Sequence, residues 1–323
     1  MSQRGAAPPV LPGAQSEADA LRTVLVKHAR DAWPDDAAVD RDWRALGYPA
    51  RPDLARAHAE SDAFIALLRS LGADVRVLGG DAPSDRSAFP VPRSALTLDS
   101  LYVRDAAIAC ERGMILCNMG KAARRPEPAA LERALAAAHV PIHGHITGAG
   151  RLEGGDVVWL GPRTLAVGRG YRTNDDGIAQ LARALTGLID ELIVVPLPHW
   201  RGPDDVFHLM SIISPLDRDL ALVYEPLLPV PFRERLQALG VALVGVPDGE
   251  FATLGCNVLA VGPRRAVMVS GNPETRRRLE RAGCEVHEFD GGEICLTGGG
   301  GPTCLTRSLT RGAPPVAADG PGR

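Results

Sequence analysis

Toward its end the chain runs Gly298-Gly299-Gly300-Gly301 into Pro302, Thr303 and Cys304, a poor sequence for core and a good setting for an exposed nucleophile. Glycine lets backbone approach a ligand closely, and a thiolate is the strongest nucleophile that side chains offer near neutral pH. Other polar groups stand out from their surroundings: the acids Asp99 and Asp105, the run Glu153-Gly154-Gly155-Asp156, and His208 between Phe207 and Leu209. A cysteine, a histidine and a carboxylate are what covalent catalysis at carbon requires: thiolate attack, proton transfer, and an acid that holds the imidazole. Each group has an ordinary alternative. An isolated cysteine packs as a small hydrophobe, and glycines between acids make turns. A histidine on an apolar strand is a satisfied core residue, and Asp105 beside Arg104 is a surface ion pair of small value.

The placement of these groups along the chain weakens the alternatives taken jointly. Short β-branched runs and longer periodic ones repeat as strand, strand, helix, strand. One copy has strands near 102–109 and 114–118, a helix over 128–138 and a strand at 140–145. The next has strands at 157–160 and 164–167, a helix over 175–188 and a strand at 192–196. A third runs 206–213, 220–224, helix 231–239, strand 241–246, and a fourth runs 257–261, 266–270, helix 273–282, strand 285–289. Leu239-Gly240-Val241 and Ala282-Gly283-Cys284 match Leu71-Gly72-Ala73, with glycine where a helix C-cap belongs. The N-terminal part is a half-module: strand 23–27, helix 52–71, strand 73–78, for which 304–309 supplies the missing first strand.

Five ββαβ modules therefore close into an α/β ring fastened by pairing the N- and C-terminal segments, as circular repeat architectures do. A doubly wound α/β sheet is the alternative, but no GxGxxG follows a strand, and paired strands before each helix suit local hairpins. In the ring register, Asp99 and Asp105, then Glu153 and Asp156, then His208, then Cys304 fall at the entrance to the first strand of successive modules. A ring brings equivalent entrances to one central end.

Composition bounds the function. At 323 residues, 45% hydrophobic and 23% charged, the chain is of a soluble globular class. A net charge of −3 gives no basic face for nucleic acid, and Arg276, Arg277, Arg278 and Arg281 read as one solvated helix side. The first 16 residues lack the pattern of a secretory signal, and no apolar run reaches the ~18 residues of a membrane span. Six cysteines without a CxxC pair read as reduced thiols of a cytoplasmic protein. The expected organisation is a flexible tail over 1–18, one catalytic domain over 19–311 and a flexible tail over 312–323. The stretch 29–51, rich in Asp, Trp and Pro, is a candidate lid or a docked surface loop.

With these residues in hand, the chain resembles the guanidino-group-modifying (pentein) enzymes: arginine deiminases, dimethylarginine dimethylaminohydrolases and amidinotransferases. Leu152-Glu153-Gly154-Gly155-Asp156, Tyr171-Arg172-Thr173-Asn174, Phe207-His208-Leu209 and Gly300-Gly301-Pro302-Thr303-Cys304-Leu305-Thr306 look like the family's motifs in the family's order. The resemblance covers 21–309 and implies a five-bladed α/β propeller, in agreement with the five modules. It also implies Cys304 as nucleophile, His208 as general acid and base, and Glu153 as the carboxylate of the catalytic set. Asp105 and Asp99 would grip the guanidinium, with Asp156 counted among the substrate-binding acids. Arg172, and Arg124 or Arg125, with Arg125 preferred, would meet the amino-acid end.

The implied activity is hydrolysis of arginine or an N-methylated arginine to citrulline, with no metal or cofactor and no partner beyond the small-molecule substrate; homo-oligomerisation stays open. Amidino transfer is the alternative, and a catalytically silent binding propeller a third. Met210 stands where arginine deiminases resemble His-Leu-Asp, and Asp99, six residues before Asp105, sits as in the dimethylarginine enzymes. An alkylated guanidine would suit a pocket widened by Met210.

Overall fold

The computed structural model describes residues 13–79, 88–89, 96–205 and 207–312. Within them the repeated pattern becomes five small sheets, one per module. In four of the modules the first strand pairs antiparallel with the second as a local hairpin, and the second pairs parallel with the third after a helical crossover. Successive hairpins are Ala107–Cys110 with Gly113–Leu116, Val157–Gly161 with Thr164–Arg169, Ile213–Asp217 with Leu220–Val223, and Leu259–Gly262 with Arg265–Val269. The crossover helices are Glu127–Ala137, Asp175–Ala184, Val230–Ala238 and Pro273–Arg281. Gly72, Gly240 and Gly283 take φ of +96°, +78° and +83° just past helix ends, a conformation costly for other residues.

The fifth sheet fastens the ring. Thr306–Arg311 runs antiparallel to Leu21–Lys27, with Val24 opposite Ser308 and Val26 opposite Thr306. Leu21–Lys27 pairs parallel with Asp74–Leu78 across the helix Leu54–Ser70, and Ala88–Phe89 adds an edge strand. First strands meet around the centre: Ile213–Asp217 packs on Leu259–Gly262, and Thr306–Arg311 on Ala107–Cys110. Second strands such as Gly113–Leu116 and Leu220–Val223 are buried along their whole length, which is why they read as continuous apolar runs. The result is a propeller of five α/β modules whose core lies between neighbouring sheets.

Two expectations change. First strands expected to start at the polar residues begin later, at Ala107, Ile213 and Thr306. Short 3₁₀ turns precede the first strands that begin at Ala107, Val157 and Ile213, over Val103–Ala106, Gly154–Asp156 and Leu209–Ser211. They lift the polar residues out of the strand pairing and turn them toward the end of the ring.

The N-terminal tail, drawn to residue 18, is too long. Gly13 bridges to Thr310, and Gln15 reaches the Pro162 carbonyl at 2.6 Å. Glu17 pairs with Arg104 at 2.6 Å in the interior, so Arg104 is no surface partner of Asp105. Residues 1–12 and 313–323 lie outside the described residues.

The stretch 29–51 forms two short helices, Ala29–Ala32 and Asp36–Asp42, and is docked by its apolar residues. Trp33 is fully buried and donates to the Leu98 carbonyl at 3.0 Å, while Val39, Leu46 and Tyr48 are buried beside it. Among the described residues no helix is long and apolar enough to cross a membrane.

Candidate active site

The glycine run exists because other side chains take the space. A Cβ on Gly300 would lie 2.6 Å from the Tyr102 ring and one on Gly301 2.5 Å from the Asn257 amide oxygen, while one on Gly298 would overlap the Tyr102 hydroxyl. Cys304 follows in a tight turn, its N–H donating to the Gly301 carbonyl at 2.9 Å. Asn257 organises this turn: its oxygen accepts from the Thr303 hydroxyl and N–H, and its amide donates to Cys304 Sγ at 3.3 Å. Burial, with a smaller push from Asp105, raises the Cys304 thiol above its ordinary range, and the Asn257 and Thr303 hydrogen bonds offset part of this. The other five cysteines are all buried, whereas Cys304 is partly exposed.

His208 is locked from below. Its Nε2 lies 2.8 Å from a Glu153 oxygen, and Glu153 is wholly buried. That carboxylate also takes the Lys121 backbone N–H at 2.9 Å and Arg172 Nη1 at 3.3 Å. Burial alone would neutralise Glu153, but the His208 hydrogen bond, with the charges of His208, Arg172 and Arg124, holds it well below the usual carboxylate range. Burial likewise opposes the imidazolium, yet Asp105, Asp156 and Glu153 outweigh it and raise His208 to about 9. Gly155 is required here, since a Cβ would lie 2.6 Å from His208 Nδ1 and 2.8 Å from Asp105 Oδ1.

The acids at the first module entrance form a corner opposite the thiol. Asp105 accepts the Gly155 N–H at 2.9 Å and Arg124 Nη1 at 2.5 Å. Arg124 is gripped at the same time by both oxygens of Glu127 and by the Tyr102 carbonyl. Asp99 takes Lys121 Nζ at 2.6 Å. Ligating atoms of Asp105, Glu153 and His208 lie within 4.8 Å of one another, near enough to hold a metal cation. Each of those groups is already committed to hydrogen-bond partners within the protein itself.

Two cavities share His208, Gly298 and Cys304 as walls. The smaller, about 20 Å³, is closed in by Asp99, Tyr102, Asp105, Lys121, Arg124 and Arg172. The larger, about 390 Å³, opens past Met210, Phe207, Asn257, Trp200 and Arg201, with Leu46, Gly47 and Pro49 at its rim. Cys304, His208, Asp99, Asp105 and Arg172 line the smaller cavity together, with Glu153 directly behind His208.

Two anticipated substrate contacts do not. Asp156 lies behind the site, wholly buried, accepting the Leu209 N–H at 3.0 Å and the Thr173 hydroxyl at 2.6 Å. Burial pushes it up to about 6, and it props the turn that carries His208. Arg125 is exposed and lines neither cavity, while its neighbour Arg124 is buried. Asn257 and Lys121 were missed. Asn257 occupies the entrance of the fourth module, the one entrance left out of the pattern, and that periodicity was the signal for it.

Comparison with known proteins places the chain in a family. A family model described as arginine deiminase matches residues 98–239 and 232–311. The chain is 30% identical to an N(G),N(G)-dimethylarginine dimethylaminohydrolase of Streptomyces coelicolor over 62% of this chain and 72% of that one. It is 27% identical to an arginine deiminase of Mycobacterium avium over 90% of this chain and 81% of that one. A solved dimethylarginine dimethylaminohydrolase from Pseudomonas aeruginosa, complexed with citrulline, superposes with a TM-score of 0.69 at 23% identity, covering 89% of this chain and 98% of that one, and so shares the fold. With the family model spanning well over half of its residues and a Cys304–His208–Glu153 site at the centre of the matched region, the chain belongs to the arginine deiminase family.

Proposed function

We propose that the chain is a cysteine-dependent hydrolase of a guanidino substrate, arginine or an N-methylated arginine, releasing citrulline and ammonia or an amine. The observation that carries this reading is His208, held by buried Glu153, facing the same two cavities as Cys304 beside the acids Asp99 and Asp105. A guanidinium is a resonance-stabilised cation and a poor electrophile, so carboxylates must hold it flat with its carbon over the sulfur. Its positive charge also favours the thiolate that burial disfavours in the empty site.

Cys304 Sγ then adds to the guanidinium carbon, and the imidazolium of His208 gives its proton to the departing nitrogen. The C–N bond breaks, leaving a thiouronium on Cys304. Neutral His208 next takes one proton from water as the oxygen adds to the same carbon; C–S cleavage returns the thiolate and, with the second proton of that water passing to solvent or to the released ammonia or amine, leaves a neutral ureido product. Met210 and Phe207 in the wall of the larger cavity suit an alkylated nitrogen.

The test is citrulline release from arginine and from methylated arginines, with Cys304→Ser as control. Loss of release in that variant supports the mechanism, and unaffected turnover refutes it. Ornithine plus an amidinated amine as products would replace hydrolysis with amidino transfer.

A further inference from the structure

The corner that the proposed reaction needs for a guanidinium is already occupied by cations of the protein. The cavity there is about 20 Å³, room for about one water. A guanidinium therefore enters only if something leaves. Among the described residues three cations border the space: Arg124, Arg172 and Lys121. Arg124 is 4% exposed at its side chain and carries hydrogen bonds to Asp105, Glu127 and the Tyr102 carbonyl, so moving it strips two buried carboxylates. Arg172 is 7% exposed and supports Glu153. Lys121 is 20% exposed and holds two partners: Asp99 Oδ2 at 2.6 Å and the Leu46 carbonyl at 3.1 Å. A flexible ammonium with an open side is the cation that is cheapest to displace.

We propose that Lys121 is a resident cation that the substrate guanidinium replaces at Asp99, making Lys121 a specificity-determining residue. The inference rests on the guanidino reading above. Two consequences follow from the bonds themselves. Substrate binding is a cation exchange at Asp99, so only a group with a full positive charge and donors aimed at a carboxylate competes; an uncharged ureido group does not, which favours product leaving. The Leu46 carbonyl loses its donor when Lys121 leaves, so the docked segment Asp36–Tyr48 is tied to the empty site and untied by the occupied one.

The experiment compares the full-length wild type with Lys121→Met and Lys121→Arg. With arginine and N,N-dimethylarginine as substrates, KM in Lys121→Met falls by about tenfold, equivalent to ~1.4 kcal/mol, whereas Lys121→Arg keeps a KM near or above wild type. An unchanged or higher KM in Lys121→Met overturns the exchange. Hydrogen exchange of residues 43–49 in the substrate-free proteins reads the tether without turnover. Faster exchange in Lys121→Met supports it, and equal exchange overturns it. If the wild type hydrolysed no guanidino compound, the functional reading would fall by itself, and the exchange comparison would still decide the tether.

Discussion

The proton on His208 gives a prediction whose size can be worked through. An unfolded histidine titrates near 6.5, and the folded site holds His208 at about 9, because Asp105, Asp156 and Glu153 outweigh a burial that acts in the opposite direction. At 1.36 kcal/mol per pH unit this is worth about 3 kcal/mol in favour of the charged form. The folded state binds the extra proton between those two values, so the stabilisation is complete below about pH 6.5 and is lost as pH rises through about 9. Roughly 2 of the ~3 kcal/mol disappears between pH 6.5 and 8.5, below the range in which the buried thiols count. Asp156, pushed up to about 6 by burial, acts in a lower window, where its contribution is present under acid conditions and is lost as pH rises through about 6.

The assay is urea unfolding at pH 6.5, 7.5 and 8.5 for wild type and His208→Gln, with the difference between them cancelling the exposed histidines. Wild type should lose about 2 kcal/mol relative to the variant over that interval. Glu153→Gln should lower the His208 titration point and flatten the slope. It should also cost about 3–5 kcal/mol at pH 7, because His208 and Arg172 lose the carboxylate that pairs them in the interior. An imidazole that titrates near 6.5 by NMR, or a slope identical in wild type and His208→Gln, would refute the electrostatic reasoning.

Two further outcomes are expected. Gly155→Ala places a methyl 2.6 Å from His208 Nδ1, and should cut kcat on the order of 100-fold by misplacing the imidazole while costing about 1–3 kcal/mol in urea; near wild-type kinetics would show that the turn can yield. In the free protein, alkylation of Cys304 by iodoacetamide should accelerate as pH rises from 7 to 9, because burial keeps the thiol protonated, and Asn257→Ala should slow it at fixed pH by removing the donor to sulfur. A rate flat across that range, read by mass spectrometry, would mean that the thiolate is already formed.

Much of the fold was legible because its signals are local. Hairpin and crossover helix recur with their own periodicities, and glycines mark helix ends, so five modules could be counted along the chain. Strand starts were not legible to the residue, since a 3₁₀ turn and a strand present the same apolar alternation over three or four positions. The Cys304, His208 and Glu153 set followed from the modules by position, and Asp99 and Asp105 from the same entrances.

Partner choice and burial depended on elements far apart in sequence. Arg124 and Arg125 are neighbours of the same type, and composition cannot say which turns inward; the 3₁₀ turn Ala122–Arg124 aims Arg124 at Glu127 and Asp105 and leaves Arg125 exposed. Asp156 sits three residues from Glu153, yet the turn Gly154–Asp156 sends it behind His208 toward Thr173 and Leu209. Asn257 reaches the thiol from the entrance of the preceding module, and Lys121 reaches Asp99 of its own module and Leu46 of the N-terminal segment, because the module entrances converge at one end of the ring. The sequence by itself determined the number of modules and singled out Cys304, His208 and Glu153 as the residues to look for at their entrances. The tertiary structure alone decided which charges pair, because a buried ion is set by every neighbour around it, and those neighbours come from different modules of the ring.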